Sequence, residues 1–167
     1  MRPKIAVASL SLSAAALIGL FAHEGYSDKA IIPTKGDVPT IGFGSTVYED
    51  GSRVRLGDTI TPERAVRLAY SHTAKDEEAF KKTLPGVELT QGEYDVYIDF
   101  MYQYGQANWE KSSMRRHLLK GEHKQACDAL LRYRYAANFD CSTPGNTRCW
   151  GVWDRQLKRH AKCLGDK

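Results

Sequence analysis

Pro39-Thr40-Ile41-Gly42-Phe43-Gly44 is the stretch that decides the fold of this chain of 167 residues. Polar and apolar side chains alternate in it as they do in a strand, so Thr40 and Ile41 are predicted to face opposite sides. Glu24-Gly25 comes earlier, at the end of an apolar, helix-like run. Several carbohydrate hydrolases build a cleft from an acid at a helix end that faces a glycine-rich hairpin, and they cleave glycosidic bonds with such a carboxyl group.

A hairpin and a long helix are predicted on either side of residue 60. Residues 30–33 and 38–41 flank residues 34–37, whose Thr-Lys-Gly-Asp sequence is typical of a turn. Thr61-Pro62 then indicates a helix start, with Thr61 as the N-cap and Pro62 at the first helical position. Apolar residues follow at three- and four-residue spacing until Pro85-Gly86, so a helix of about twenty residues links the hairpin region to the rest.

The remaining part of the chain is predicted to be helical. Thr90 and Glu93 form a capping box that opens a helix ending near Gly105. Further helices are predicted from residue 112 or 113 to 119, and over 122–133 and 150–164. The sequence therefore predicts an α+β fold that is mainly α. Its predicted parts are an N-terminal segment (1–22), a small β-containing lobe (23–60), and a linker helix with a helical lobe (61–167).

Composition and charge place the chain among ordinary globular proteins. It is 42% hydrophobic and 26% charged, with a net charge of +4 and a pI of about 8.8. A mildly basic surface suits an anionic partner. No run of Lys and Arg is longer than two residues, which argues against a basic nucleic-acid-binding arm.

Four cysteines, all in the last third of the chain, predict two disulfides. The cysteines are Cys127, Cys141, Cys149 and Cys163. No two of them have Cys-x-x-Cys spacing, so a zinc site is poorly supported. An even set of cysteines behind an export-type N-terminus is typical of disulfides. We favour Cys141–Cys149, because residues 142–146 between them form turns. Cys127–Cys163 would then tie two helices together.

The N-terminal segment has the features of a weak membrane segment. Arg2 and Lys4 precede an uncharged run over residues 5–22, whose length is at the lower limit for a membrane span. The positive flank predicts that the N-terminus stays inside and the body is exported. Small and polar residues dilute the run, namely Ser9, Ser11, Ser13, Gly19 and several alanines.

Three interpretations of this segment compete. It could be a signal peptide cleaved after Ala16 or Ala22, a permanent anchor, or a weak anchor that inserts and later leaves the membrane. We favour the weak anchor, because polar interruptions make insertion marginal. Cleavage after Ala22 would leave Glu24 near a free end without a helix to hold it.

Taken together, these features resemble the phage lysozymes of glycoside hydrolase family 24. The resemblance runs from about Leu20 to Leu164. It is carried by Glu24-Gly25, Thr40-Ile41-Gly42-Phe43-Gly44-Ser45-Thr46, Ile60-Thr61-Pro62-Glu63, Phe100-x-x-Gln103-x-Gly105 and Arg155. The N-terminal segment resembles that of the signal-arrest-release endolysins in this family.

The resemblance implies a lysozyme-like fold with a catalytic cleft between two lobes. It also implies hydrolysis of the β-1,4 bond between N-acetylmuramic acid and N-acetylglucosamine in peptidoglycan, without metal or cofactor. We expect a monomer that first resides in the host inner membrane and is then released to the periplasm. A lytic transglycosylase and a non-catalytic wall-binding lysis protein on the same scaffold are the alternatives.

The family's active site is a Glu, an Asp or Cys nine residues later, and a Thr six residues after that. Glu24, as general acid, and Thr40 carry over directly. Pro33 follows Glu24 by nine residues and Thr34 precedes Thr40 by six, so the hairpin is one residue longer than the family pattern. Asp37 is the only carboxylate in the hairpin and is the candidate for the middle role on chemical grounds. Thr34 is the positional alternative.

Two further residues are predicted to contact substrate. The resemblance assigns Gln103, in the Phe-x-x-Gln-x-Gly motif, and Arg155, on the last helix, to the same cleft.

Overall fold

The chain forms two compact units in a computed structural model that describes residues 3–165, except for the side chains of residues 22–24. A helical unit contains the chain up to Leu12 and again from Ala79 onward, and a β-containing unit spans Ser13–Glu78. These boundaries differ from the predicted ones after residues 22 and 60. The N-terminal segment is divided between the two units, and the long helix continues from one into the other.

Helices dominate the described chain, as the α+β, mainly α prediction required. In chain order the elements are β1 (Ile5–Ala6), a 3-10 turn (Val7–Ser9), α1 (Ala14–Glu24), β2 (Ser27–Ile31), β3 (Thr40–Gly42), α2 (Pro62–Lys82), β4 (Glu88–Leu89), α3 (Gln91–Tyr104), α4 (Gln106–Lys111), α5 (Ser113–Leu118), α6 (His123–Ala129), a 3-10 turn (Leu130–Arg132), β5 (Tyr135–Ala136), β6 (Phe139–Asp140) and α7 (Trp150–Leu164). The strands pair antiparallel as β1–β4, β2–β3 and β5–β6.

The predicted helix starts are present. Arg64 N–H donates to Thr61 Oγ1 over 3.3 Å at the start of α2. At the start of α3, Glu93 N–H donates to Thr90 Oγ1 over 3.2 Å, and Thr90 N–H donates to Glu93 Oε2 over 2.8 Å. Each cap satisfies backbone donors that a helix end leaves without partners. The predicted helix over 122–133 is shorter, because it tightens into a 3-10 turn after Ala129.

The β-containing unit has a small core under the hairpin. Its buried side chains are Ala30, Ile41, Val54, Ile60, Ala65 and Leu68, with Phe43 and Tyr48 packed against them. Gly42 adopts φ 65°, and a Cβ at this position would lie 3.0 Å from the Ala65 Cβ on α2. The glycine of the Thr-Ile-Gly motif therefore permits close packing of the hairpin on the long helix.

The first residues of the N-terminal segment belong to the core of the helical unit. Ile5 and Ala6 pair with Leu89 and Glu88. Val7 N–H donates to Val87 O over 3.0 Å. Val7 and Leu10 are 2% and 4% exposed within a cluster that includes Phe80, Tyr94, Tyr97, Phe100, Trp109 and Leu118. No helix among the described residues combines the length and apolar character that crossing a bilayer requires.

Both predicted disulfides are present in the helical unit. Cys127–Cys163 joins α6 to α7, and Cys141–Cys149 closes the loop after β6. The hydroxyl of Tyr97 lies 3.3 Å from Cys163 Sγ and 3.7 Å from Cys127 Sγ. Burial raises the pKa of Tyr97 well above its usual value, so the hydroxyl keeps its proton beside the sulfurs.

Leu10→Ala should destabilise the protein by about 2–4 kcal/mol, because it removes a buried side chain and leaves a cavity. Ile5→Ala is the matched control in the same segment. Ile5 is 45% exposed, so its loss should cost less than about 1 kcal/mol. Chemical denaturation measures both values. Equal, small effects would show that the segment does not contribute to the core.

Candidate active site

The candidate acid lies where α1 ends. Ser13 caps the helix start, its Oγ accepting from Ala16 N–H over 3.1 Å. Glu24 is the last helical residue, and Gly25 follows with φ 71° and ψ 169°. Glycine adopts this conformation at little cost, so Glu24-Gly25 ends the helix at the acid. The structure describes the backbone of Glu24 but not its side chain.

Aromatic contacts attach the end of α1 to the hairpin. The rings of Phe21 and Phe43 stack with centroids 4.9 Å apart, and the Tyr26 and Phe43 centroids are 5.5 Å apart. The Tyr26 hydroxyl donates to Ile60 O over 3.3 Å. An open pocket of about 400 Å³ beside these rings is lined by Ile18, Phe21, Gly25, Tyr26 and Phe43. The aromatic residue of the Gly-Phe-Gly sequence thus fixes β3 against the helix that carries Glu24.

Thr40 lies on the opposite face of β3 from the core. Ile41 is fully buried, whereas Thr40 is half-buried. This is the alternation that the sequence predicts. Thr40 pairs with Ile31 of β2, and its hydroxyl donates to Ile31 O over a long 3.5 Å. The hydroxyl oxygen can still accept a hydrogen bond from a water or a sugar.

Asp37 and Thr34 occupy the turn between β2 and β3. Asp37 N–H donates to Thr34 O over 2.9 Å, which closes the turn. An Asp37 carboxylate oxygen accepts from Val38 N–H over 2.8 Å. Both side chains are exposed. The structure therefore gives the Asp37 carboxylate a local, turn-stabilising contact.

The pairing of β2 with β3 is irregular. Ser27 pairs with Gly42 and Ile31 with Thr40, so three residues of β2 oppose one residue of β3. The middle of β2 pairs instead on its other side, where Lys29 bridges to Thr59. Ala30 N–H donates to Asp58 O, and Ile60 N–H donates to Asp28 O. A bulge of this kind places additional residues in one strand of the pair, and the bulged strand bends and twists locally.

Gln103 and Arg155 lie on two helices that contact each other in the helical unit. Gln103 is exposed in the last turn of α3, and Arg155 is half-buried in the first half of α7. Their neighbours join the helices, because Gln156 Nε2 donates to the Tyr104 hydroxyl over 2.9 Å.

An ion pair fixes the same two helices. Arg159 Nε lies 2.6 Å from Asp99 Oδ2, and the guanidinium centre is 5.9 Å from the Tyr104 ring centroid. Arg159 is 4% exposed and Gln156 is fully buried. Sequence reasoning missed these residues. The signal available was their spacing of one and four residues from Arg155 on a single helix.

Comparison with known proteins identifies the family. A model of the phage lysozyme family matches residues 22–156. The endolysin of Salmonella phage P22 is 31% identical over 127 residues, which cover 76% of this chain and 86% of that protein. A crystal structure of a P22 lysozyme mutant has a TM-score of 0.73 and 26% identity, and covers 93% of this chain and 99% of its own.

Two more distant structures share the fold. The endolysin from Escherichia coli O157:H7 phage FAHEc1 has a TM-score of 0.75 at 20% identity, covering 98% of this chain and 96% of that chain. The muramidase domain of SpmX from Asticaccaulis excentricus has a TM-score of 0.71 at 21% identity, covering 92% and 97%. These likenesses establish the lysozyme-like fold that the sequence predicts. With the family match over most of its length, the chain belongs to the phage lysozyme family and is a muramidase, a glycoside hydrolase that lyses peptidoglycan.

Proposed function

We propose that this lysozyme is an endolysin of glycoside hydrolase family 24 and of the signal-arrest-release type. Its N-terminal segment holds it in the host inner membrane, and release delivers a monomeric enzyme to the periplasm. The observation that supports this proposal is the use of the same segment in the folded enzyme. Val7 and Leu10 are core residues, and α1 leads to Glu24. Cleavage after Ala16 would remove both core residues and part of α1.

Residence in the membrane is incompatible with the folded arrangement of this segment. A bilayer requires residues 5–22 to satisfy their backbone hydrogen bonds within a helix. In the folded protein, Ile5 and Ala6 pair with β4 instead, and Val7 N–H bonds to Val87 O. The backbone of Ile5 and Ala6 cannot be extended, as this pairing requires, and helical at the same time. The inserted protein therefore lacks core contacts of the helical unit, and release permits them.

The polar interruptions of the segment suit the folded enzyme as well as release. Ser9 and Ser11 are exposed, and Ser11 O accepts from Gln91 Nε2 over 2.8 Å. Ser13 caps α1. A Cβ added at Gly19 would meet no atom within 4 Å. These residues weaken insertion into lipid and are compatible with water once the segment leaves it.

The mechanism assigns the proton transfer to Glu24 and the water to the hairpin. Glu24 donates a proton to the glycosidic oxygen as the bond breaks. Thr40 holds the attacking water or a sugar hydroxyl through its hydroxyl oxygen. Asp37 takes the middle role, in which a carboxylate stabilises the positive sugar ring or orients the water. Gln103 and Arg155 bind substrate. Thr34 in place of Asp37 could position water but could not balance charge.

Glu24→Gln should reduce lysis of outer-membrane-permeabilised cells by at least about a hundredfold, because the amide keeps the shape of the side chain but cannot donate the proton. Glu49→Gln, at an exposed loop position, is the control and should leave lysis unchanged. Turbidity loss measures activity, and circular dichroism checks folding. Near-normal lysis by folded Glu24→Gln would refute the assignment.

Asp37→Asn should lower turnover clearly, and Thr34→Ala should lower it less. Asparagine keeps an oxygen that can accept from Val38 N–H, so the turn is retained while the charge is lost. Turnover on purified sacculi and melting temperature are measured for both variants. The reverse order of effects would assign the middle role to Thr34.

Mass spectrometry of the products should find reducing ends, whereas anhydro-muramic ends would indicate a lytic transglycosylase that needs only one acid.

Replacing Ser9, Ser11 and Gly19 by Leu should trap the protein in the membrane and delay lysis, since each change adds apolar transfer energy in lipid. The folded enzyme should tolerate the changes, and Ser13 is kept because it caps α1. The same three positions replaced by Gln provide a control of similar side-chain length without the added apolarity. Fractionation and lysis timing measure the outcome.

N-terminal sequencing of the released wild-type enzyme tests the same proposal. A start after Ala16 or Ala22 would show a cleaved signal peptide and refute the proposal.

A further inference from the structure

The loop that follows β6 is held rigidly at the surface of the helical unit. Cys141–Cys149 closes it, and Cys141 is fully buried. Asn146 crosses the loop, because its Nδ2 donates to Cys141 O over 2.8 Å. Its Oδ1 accepts from the N–H groups of Arg148 and Cys149 over 2.8 and 3.0 Å. The backbone at Arg148 is therefore fixed by hydrogen bonds and a covalent link.

Arg148 presents an exposed guanidinium from this fixed backbone. Its guanidinium centre lies 5.4 Å from the centroid of the Phe139 ring on β6. Stacking on an aromatic ring restricts the side chain and leaves the donors at the edge of the guanidinium available. Among the residues that the structure describes, Arg148 forms no ion pair. Arg134, which directly precedes β5, differs from Arg148, because Asp140 Oδ2 lies 3.1 Å from the Arg134 Nε and balances its charge.

We propose that Arg148 binds a free carboxylate of the peptide stems of peptidoglycan. This inference rests on peptidoglycan being the substrate of the enzyme. The planar fork of a guanidinium matches a carboxylate and can donate two parallel hydrogen bonds to it. Prior fixing of the side chain on Phe139 reduces the entropy lost on binding. Arg148 is thus a specificity-determining residue, distinct from the residues that carry the cleavage chemistry.

The charge of the substrate explains why the stem is the partner rather than the sugar. In stem-bearing peptidoglycan the lactyl carboxyl of muramic acid is consumed in the amide bond to the stem, so the glycan strand is neutral. The free carboxylates lie on the stem residues. An unpaired surface cation discriminates by charge, and on this polymer only the stem supplies the opposite charge.

Initial rates of digestion are measured against the concentration of Gram-negative sacculi, both native and with stem carboxylates amidated by carbodiimide and ammonia. Arg148→Gln should raise the half-saturating concentration of native sacculi by about five- to tenfold, as expected for loss of a charge-assisted contact. Turnover at saturation should change little. Wild type on amidated sacculi should show the same loss, and the variant should lose little more, because both changes remove one interaction.

Two variants serve as controls. Lys124→Gln also removes one surface positive charge, but Lys124 already pairs with Asp128 over 2.7 Å and should behave as wild type. Arg148→Lys keeps the charge without the planar fork and should give an intermediate loss.

Equal losses for Arg148→Gln on native and amidated sacculi would show a contact with the glycan and overturn the proposal. No loss on native sacculi, or a lower turnover with unchanged half-saturation, would also overturn it. Wild-type digestion of native sacculi reports separately on the muramidase activity.

Discussion

The N-terminal segment finds hydrogen-bond partners for its backbone and a core for its apolar side chains in the helical unit. From Ser13 onward the chain belongs to the β-containing unit. Ile5 and Ala6 acquire hydrogen-bonded partners in β4, and Val7 and Leu10 are buried with the aromatic core. Only then does Ser13 begin the helix that ends at Glu24. Because burial of apolar side chains is the main favourable term in folding, Val7 and Leu10 hold these residues of the segment in the core of the helical unit.

The local features of the fold could be predicted because their causes lie within a few residues. Thr61-Pro62 and the Thr90–Glu93 pair begin helices through their own hydrogen bonds. Gly25 occupies positive φ, and its place directly after the apolar, helix-like run marked the helix end. The turn-forming residues between Cys141 and Cys149 likewise made that disulfide predictable, and the other pair followed. Such signals depend on propensity and spacing rather than on distant partners.

The features that escaped prediction depend on partners far along the chain. β1 has only two residues, and it is a strand because β4 pairs with it. The middle of β2 pairs with a distant residue through the Lys29–Thr59 bridge. The alternation of polar and apolar residues within β2 does not indicate this partner. The contact of Gln156 with Tyr104 connects helices that are separated by much of the helical unit. The short helix α4, at six residues, is too brief for a periodic pattern to indicate it.

The hairpin shows why a rule that counts residues along the chain can fail. A motif counts residues along the chain, whereas a mechanism requires groups at particular positions in space. The two agree only while the strands keep a regular register. Here three residues of β2 oppose one of β3, so positions before the bulge no longer map by counting onto positions after it.

Thr40 is anchored by its pairing with Ile31, and Glu24 by the helix end, so their assignments do not depend on the count. The mechanism proposed above assigns the middle role to the turn between these two residues. The groups available there are the Asp37 carboxylate and the Thr34 hydroxyl, which differ in charge. Charge rather than position is therefore the property by which substitution can separate them.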